Sequence, residues 1–340
     1  MRKRVLSGIQ PTGKIHLGNY FGAVQNWVAL QRDYDCFYSI VNYHAMTMPF
    51  KPQALMDSSW DLAFSLLALG VEPRSLFIQS LVPEHTELAW IFNCFCGYGE
   101  LGRMTQFKDK SDQVKEGDAE GFISTGLFTY PILQAADILL YKADFVPVGK
   151  DQAQHLELSR TIAHRFNTQV GGKPYFVMPE TLLSETPKIV SPADPTKKMS
   201  KSLGEKHYID VFGEAAQVRK QIKSAVTDTG ERILDEQGNA IMSAGVENLF
   251  TLLKACKDIE NYHALYADFE ANALKYGHLK EKVADAVVAM TSEFRTKKIE
   301  LETDKKAIKA QLLDAAADIR TVAQVTIREV KTLVGLPNAR

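Results

Sequence analysis

Short apolar runs alternate with longer stretches of helical period through the first half of the chain. Val5–Ser7, Cys36–Val41, Ser75–Gln79, Asp144–Val148 and Tyr175–Met178 read as strands, and 19–32, 53–69, 84–96, 131–142 and 151–167 as helices. Strands that alternate with helices build βαβ units, and these close into a doubly wound parallel sheet covered on both faces. Ligands in such sheets sit on the loops that follow the strands. Here those are the loops after Leu6, Val41, Ile78 and Val148.

After residue 205 the strand pattern vanishes and Ala, Lys, Glu and Leu dominate. Ile319, Val322, Thr326, Val330 and Leu333 recur at helical spacing, and Gly335 with Pro337 gives a stop. The expectation is an α/β domain over 1–204, with an insertion near 97–125, followed by an all-helical domain over 205–340.

Composition changes little in this picture. Hydrophobic residues make up 45% and charged residues 24% of 340, a profile that excludes a disordered tail or a rod. Against 41 acidic residues stand 40 basic ones, a balance that argues against indiscriminate coating of nucleic acid. Cys36, Cys94, Cys96 and Cys256 lack zinc-site spacing and read as free thiols. The basic start Arg2-Lys3-Arg4 is not followed by an apolar stretch, and no run approaches a membrane span. A cytoplasmic location follows as the expectation.

Gly97-Tyr98-Gly99-Glu100-Leu101-Gly102 matches G-x-G-x-x-G, but helix-like residues precede it where a dinucleotide site needs a strand. It reads as a helix-ending turn. The segment Ser7–Tyr20 does follow a strand. Pro11 and Gly13 enforce a turn there, and Thr12, His16 and Asn19 offer donors without a carboxylate to repel phosphate. By spacing alone this is equally a plain βα loop in which Asn19 caps the helix. Asp194–Gly204 gathers Lys197, Lys198 and Lys201 with Ser200 and Ser202, either a cationic clamp or a solvated linker.

Together the two loops are more specific than either. Pro11-Thr12-Gly13-x-x-His16-Leu17-Gly18-Asn19 resembles the HIGH motif of class I aminoacyl-tRNA synthetases, with Asn19 in place of the last histidine. Lys198-Met199-Ser200-Lys201-Ser202 is similar to their KMSKS motif at every letter. Across nearly the whole chain the resemblance is to the bacterial tryptophanyl-tRNA synthetases. It is carried further by Met104–Lys108, Ala135–Tyr141, Val146–Gln152 and Ala225–Asp228.

That resemblance implies a Rossmann-like catalytic domain and a two-step reaction. The tryptophan carboxylate attacks the α-phosphate of ATP, and the activated acyl group then passes to tRNA. Thr12, His16, Asn19, Lys198 and Lys201 are the implied catalytic residues. Gln10, Pro11, Gly18, Gly149, Lys150, Asp151, Ile189, Met199, Ser200 and Ser202 are the further residues implied at the nucleotide. Asp137 is implied to accept the indole N–H, beside Tyr130, Gln134, His44 and Gln152. Magnesium arrives with ATP, and no protein metal cage is implied. A homodimer and anticodon-reading helices complete the family pattern. By residue type alone, Asp137 reads as a surface or helix-capping aspartate and His44 as a structural histidine. Tyr-x-x-x-Gln-x-x-Asp also resembles the pocket helix of tyrosyl enzymes, whereas the flanking residues favour tryptophan. Another nucleotidyltransferase, or a catalytically silent paralogue serving as an RNA- or tryptophan-binding regulator, are the rival classes.

Overall fold

The computed structural model describes residues 2–338 apart from 108–110, 113–121, 148, 150–151, 183–185, 229–232, 235 and 238–239. Strands β1 (Arg4–Ile9), β2 (Asp35–Ile40), β3 (Leu76–Ile78), β4 (Phe145–Val146) and β5 (Glu180–Thr181) form one sheet in the order β3-β2-β1-β4-β5. All its pairings are parallel. The period of two along a strand sends alternate side chains to opposite faces. Val5, Cys36, Tyr38, Ile40, Leu76 and Ile78 enter one core, while Leu6, Phe37 and Phe77 enter another. Burying each such side chain stabilises the fold by about 1.5–3 kcal/mol, which is why both faces must be covered.

The strand order reverses between β1 and β4. The carboxyl ends of these strands therefore open the crevice in which an α/β sheet binds its ligand. Residues 10–16, 41–44 and 79–81, and Pro147 after β4, all leave from that edge.

Three expectations need correction. Tyr175–Met178 is not a strand: the amides of Tyr175 and Phe176 donate to Asn167 Oδ1, both at 2.9 Å, which leaves no ladder for them to join. The sheet instead gains Glu180, whose N–H donates to Asp144 O at 2.8 Å. The second half is not purely helical either, because β6 (Ile233–Leu234) and β7 (Ala240–Ile241) pair as a small antiparallel ribbon. Finally, Gly97 opens a short helix, Tyr98–Gly102, and its N–H is bonded by Glu100 at 2.9 Å. Much of the rest of 97–125 lies outside the described residues.

Helices Ala215–Lys223, Ala244–Ala255, Ile259–Glu270, Tyr276–Thr303 and Lys305–Leu333 make up the second half. The last of these returns to the sheet. Its Ala316, Ile319, Ala323, Ile327 and Val330 share a core with Leu6 and Phe77. Arg320 Nε also donates to buried Glu84 at 2.8 and 3.0 Å. Among the described residues no helix is long and apolar enough to cross a membrane.

Candidate active site at the switch point of the sheet

After β1 the chain turns through Gly13, whose φ of +93° lies in the left-handed region that glycine enters without strain. His16 then caps the helical turn Leu17–Asn19. Asn19 N donates to His16 Nδ1 at 3.2 Å, and His16 N donates to Asn19 Oδ1 at 3.3 Å. The cap is therefore His16, and Asn19 closes the reciprocal box. Because Nδ1 accepts, the proton of the neutral ring lies on Nε2, which becomes a donor. Burial, reinforced by Lys201 and Lys198, holds His16 down at about 4, so the ring is neutral at physiological pH.

The second loop is fastened to the first. Lys201 Nζ donates to Thr12 O at 2.7 Å and to Lys14 O at 2.8 Å. Met199 is buried against Gly18, whose N–H points at its sulfur at 3.4 Å. A Cβ on Gly18 would stand 3.0 Å from His16 Nδ1 and 3.3 Å from Met199 Cβ, so the motif glycine is a packing requirement. Beyond the second loop, Leu17 N donates to Ile209 O and Val211 N to Ile15 O, and Lys14 pairs with Asp210 at 3.1 Å. Lys198 is exposed and Ser200 Oγ lies 2.8 Å from Ser202 Oγ. At the loop's base, Asn248 bonds both the N–H and the carbonyl of Val190, next to buried Ile189.

Tyr130, Gln134, Asp137 and Tyr141 follow one another at helical spacing on and just beyond helix Thr125–Leu140. Asp137 is 3% exposed, which corrects its reading as a surface or capping residue. His44 Nε2 lies 2.7 Å from its Oδ2, while Gln79 Nε2 at 2.7 Å and His85 Nδ1 at 2.6 Å reach its Oδ1. Burial alone pushes this carboxyl up. The attraction and hydrogen bond of His44, with those of His85, outweigh that and leave it at about 2. Tyr130 OH sits 2.8 Å from His155 Nε2, and burial raises its phenol to about 12. Gln134 donates to Gln152 Oε1 at 3.3 Å, and Gly149 is exposed near them in sequence. Lys150 and Asp151 lie outside the described residues. Among the described residues no group of three or more His, Cys, Asp or Glu side chains could hold a metal ion.

A family model described as tRNA synthetases class I (W and Y) matches residues 1–292. The chain belongs to this family. It is 44% identical to tryptophan–tRNA ligase 2 of Streptomyces avermitilis, covering 100% of this chain and 98% of that protein. The tryptophan–tRNA ligase of Wolinella succinogenes is 42% identical, with 99% of each chain covered. Among solved structures, the Campylobacter jejuni tryptophanyl-tRNA synthetase complexed with ADP and tryptophan superposes with a TM-score of 0.82. It is 36% identical, and the match covers 98% of this chain and 100% of that one.

Several residues at this candidate site gave no motif signal. Gln79 stands in a loop that the strand order had marked, since it directly follows β3. His85, Asn248 and Asp210 had no local signal, because each acts on a partner far away in sequence. Tyr141 falls within a stretch similar to the family, yet nothing in the sequence aims its hydroxyl at His85.

Proposed function

We propose that the chain is a tryptophan–tRNA ligase. It activates L-tryptophan with Mg·ATP to tryptophanyl-adenylate and pyrophosphate, then transfers tryptophan to the terminal ribose of its tRNA. The observation that carries the reaction is the meeting of the two phosphate-type loops across the switch point, Lys201 on the carbonyls of Thr12 and Lys14 and Met199 beneath Gly18. The amino-acid carboxylate is the nucleophile. The protein's task is therefore alignment and charge neutralisation.

In this reading His16 Nε2–H, Thr12 and Asn19 hold phosphate oxygens from one side. Lys198 and Lys201, with Ser200 and Ser202, hold the departing pyrophosphate from the other. Lys201 is preset for this task, since it exchanges two carbonyl acceptors for phosphate oxygens of greater charge. Gln10, Pro11, Gly18, Gly149, Lys150, Asp151, Ile189 and Met199 line the nucleotide, and magnesium enters bound to it. Asp137 accepts the indole N–H between Tyr130, Gln134, His44 and Gln152. A ligand without that donor leaves one acceptor site of a buried carboxylate unfilled. Residues 1–204 form the catalytic part and 205–340 the helical part that reads the anticodon, in a cytoplasmic homodimer.

Amino-acid-dependent ATP–pyrophosphate exchange tests the first step. Exchange supported by tryptophan, followed by tryptophan charging of tRNA, is the expected outcome. Exchange driven by tyrosine would reassign the substrate, and silence from folded protein with both would remove the enzymatic reading.

A further inference from the structure

Behind Asp137 lies a second layer that no ligand needs to touch. His85 and Tyr141 are both 0% exposed, and His85 Nε2 is 2.8 Å from Tyr141 OH. The Tyr141 ring stacks on Phe37 at 4.6 Å, and His85 stacks on Phe77 at 5.7 Å. Both polar side chains are thus clamped by aromatic residues of β2 and β3.

We infer that Tyr141 and His85 are positioning residues that set amino-acid selection by directing Asp137. The inference rests on the reading of Asp137 as the indole partner. An ionised carboxylate only accepts, so His85 Nδ1 carries a proton, and the Tyr141 hydroxyl fixes the ring from its other nitrogen, Nε2. A chain of bonds thus links Tyr141 through His85 to Asp137. A carboxylate offers about four acceptor sites. Gln79 and His85 fill those of Oδ1, and His44 takes one on Oδ2. One site on Oδ2 is left, the number that a single indole N–H fills. Buried hydrogen-bond arrays of this kind specify one geometry when every member is satisfied. Removing the Tyr141 hydroxyl would release the ring of His85, and with it the direction in which Asp137 points.

The test compares exchange kcat/KM for L-tryptophan with that for β-(3-benzothienyl)-L-alanine, in which sulfur replaces the indole N–H. Damage that is merely structural lowers both values together, whereas loss of positioning lowers their ratio. The wild-type chain should favour tryptophan by at least about 10²-fold, since sites built around a buried hydrogen bond reject the analogue lacking it. Tyr141→Phe keeps the ring and its stacking, and should cut the ratio several-fold through the KM for tryptophan. His85→Gln, whose amide mimics Nε2 and not Nδ1, should cut it by about tenfold or more. His85→Asn restores a donor at the Nδ1 position and should recover part of the ratio. If the wild-type chain does not distinguish the two amino acids, the reading of Asp137 falls and this inference with it. If the wild-type chain discriminates and Tyr141→Phe and His85→Gln retain its full ratio, the inference alone is overturned.

Discussion

The two ends of the crevice are built on opposite principles. At the end proposed to take the amino acid, Asp137, His44, Gln79, His85 and Tyr141 are all nearly inaccessible and bonded to one another side chain to side chain. At the end proposed to take the nucleotide, Lys198 is exposed and Lys201 half-buried, and Lys201 is held by backbone carbonyls of another loop. A side-chain array locked in aromatic packing has one arrangement. A lysine on two carbonyls has many near-equivalent acceptors and can trade them. The difference fits the two tasks: choosing an amino acid demands fixed geometry, while following charge from triphosphate to pyrophosphate demands movable cations.

The sharpest way to break this contrast is to remove the fixed charge. Asp137→Asn should lower kcat/KM for tryptophan by about 10²–10³, because it leaves buried donors without their acceptor, while the KM for ATP stays near its original value. Steady-state exchange at varied concentrations of each substrate separates the two. Lys201→Ala should act in the opposite sense, slowing adenylate formation by about 10²-fold in rapid-quench experiments while tryptophan binding persists. Equal loss of tryptophan affinity in both variants would erase the distinction.

pH sharpens it further. Asp137 stays ionised down to about 2 and His16 stays neutral down to about 4, so neither gives tryptophan-dependent kcat/KM a limb between pH 5 and 8. Stability should respond differently. Because His16 is depressed on folding from 6.5 to about 4, the unfolded chain takes up a proton that the folded chain refuses as pH falls through that window. The Tm of the wild-type chain relative to His16→Gln should therefore drop between pH 8 and pH 5. Asp137 contributes stability above the unfolded carboxylate range and loses it only as pH falls from about 4 towards 2. The smallest effect belongs to the ion pair whose lysine is exposed. Asp210→Ala frees Lys14, whose ammonium Asp210 holds up by hydrogen bond and charge, and should change the KM for ATP no more than a few-fold.

How much of this was legible in the sequence also divides along the crevice. The nucleotide end is built from consecutive residues, so Pro11–Asn19 and Lys198–Ser202 announce it as motifs. The first three strands were equally readable, because each carries a short apolar run bounded by polar or turn residues. The edge of the sheet was not: β5 is only Glu180–Thr181, polar and fixed by its neighbour β4, whereas the apolar Tyr175 and Phe176 pack against Phe166. The amino-acid end is assembled from β2, β3, helix Glu84–Asn93 and helix Thr125–Leu140. His44 and His85 reach Asp137 across 93 and 52 residues of chain, so no local pattern links them. The same holds for the last helix, whose helical period was plain while its destination, Glu84 beside His85, was not.

Calorimetric titration of the protein with tryptophan and with tyrosine, each without ATP, tests the central contrast most directly. A pocket fixed in advance predicts that the preference for tryptophan in binding alone matches the preference in exchange kcat/KM. Equal binding of the two amino acids, with selection emerging only once ATP is added, would show that discrimination resides at the movable end and would contradict the account.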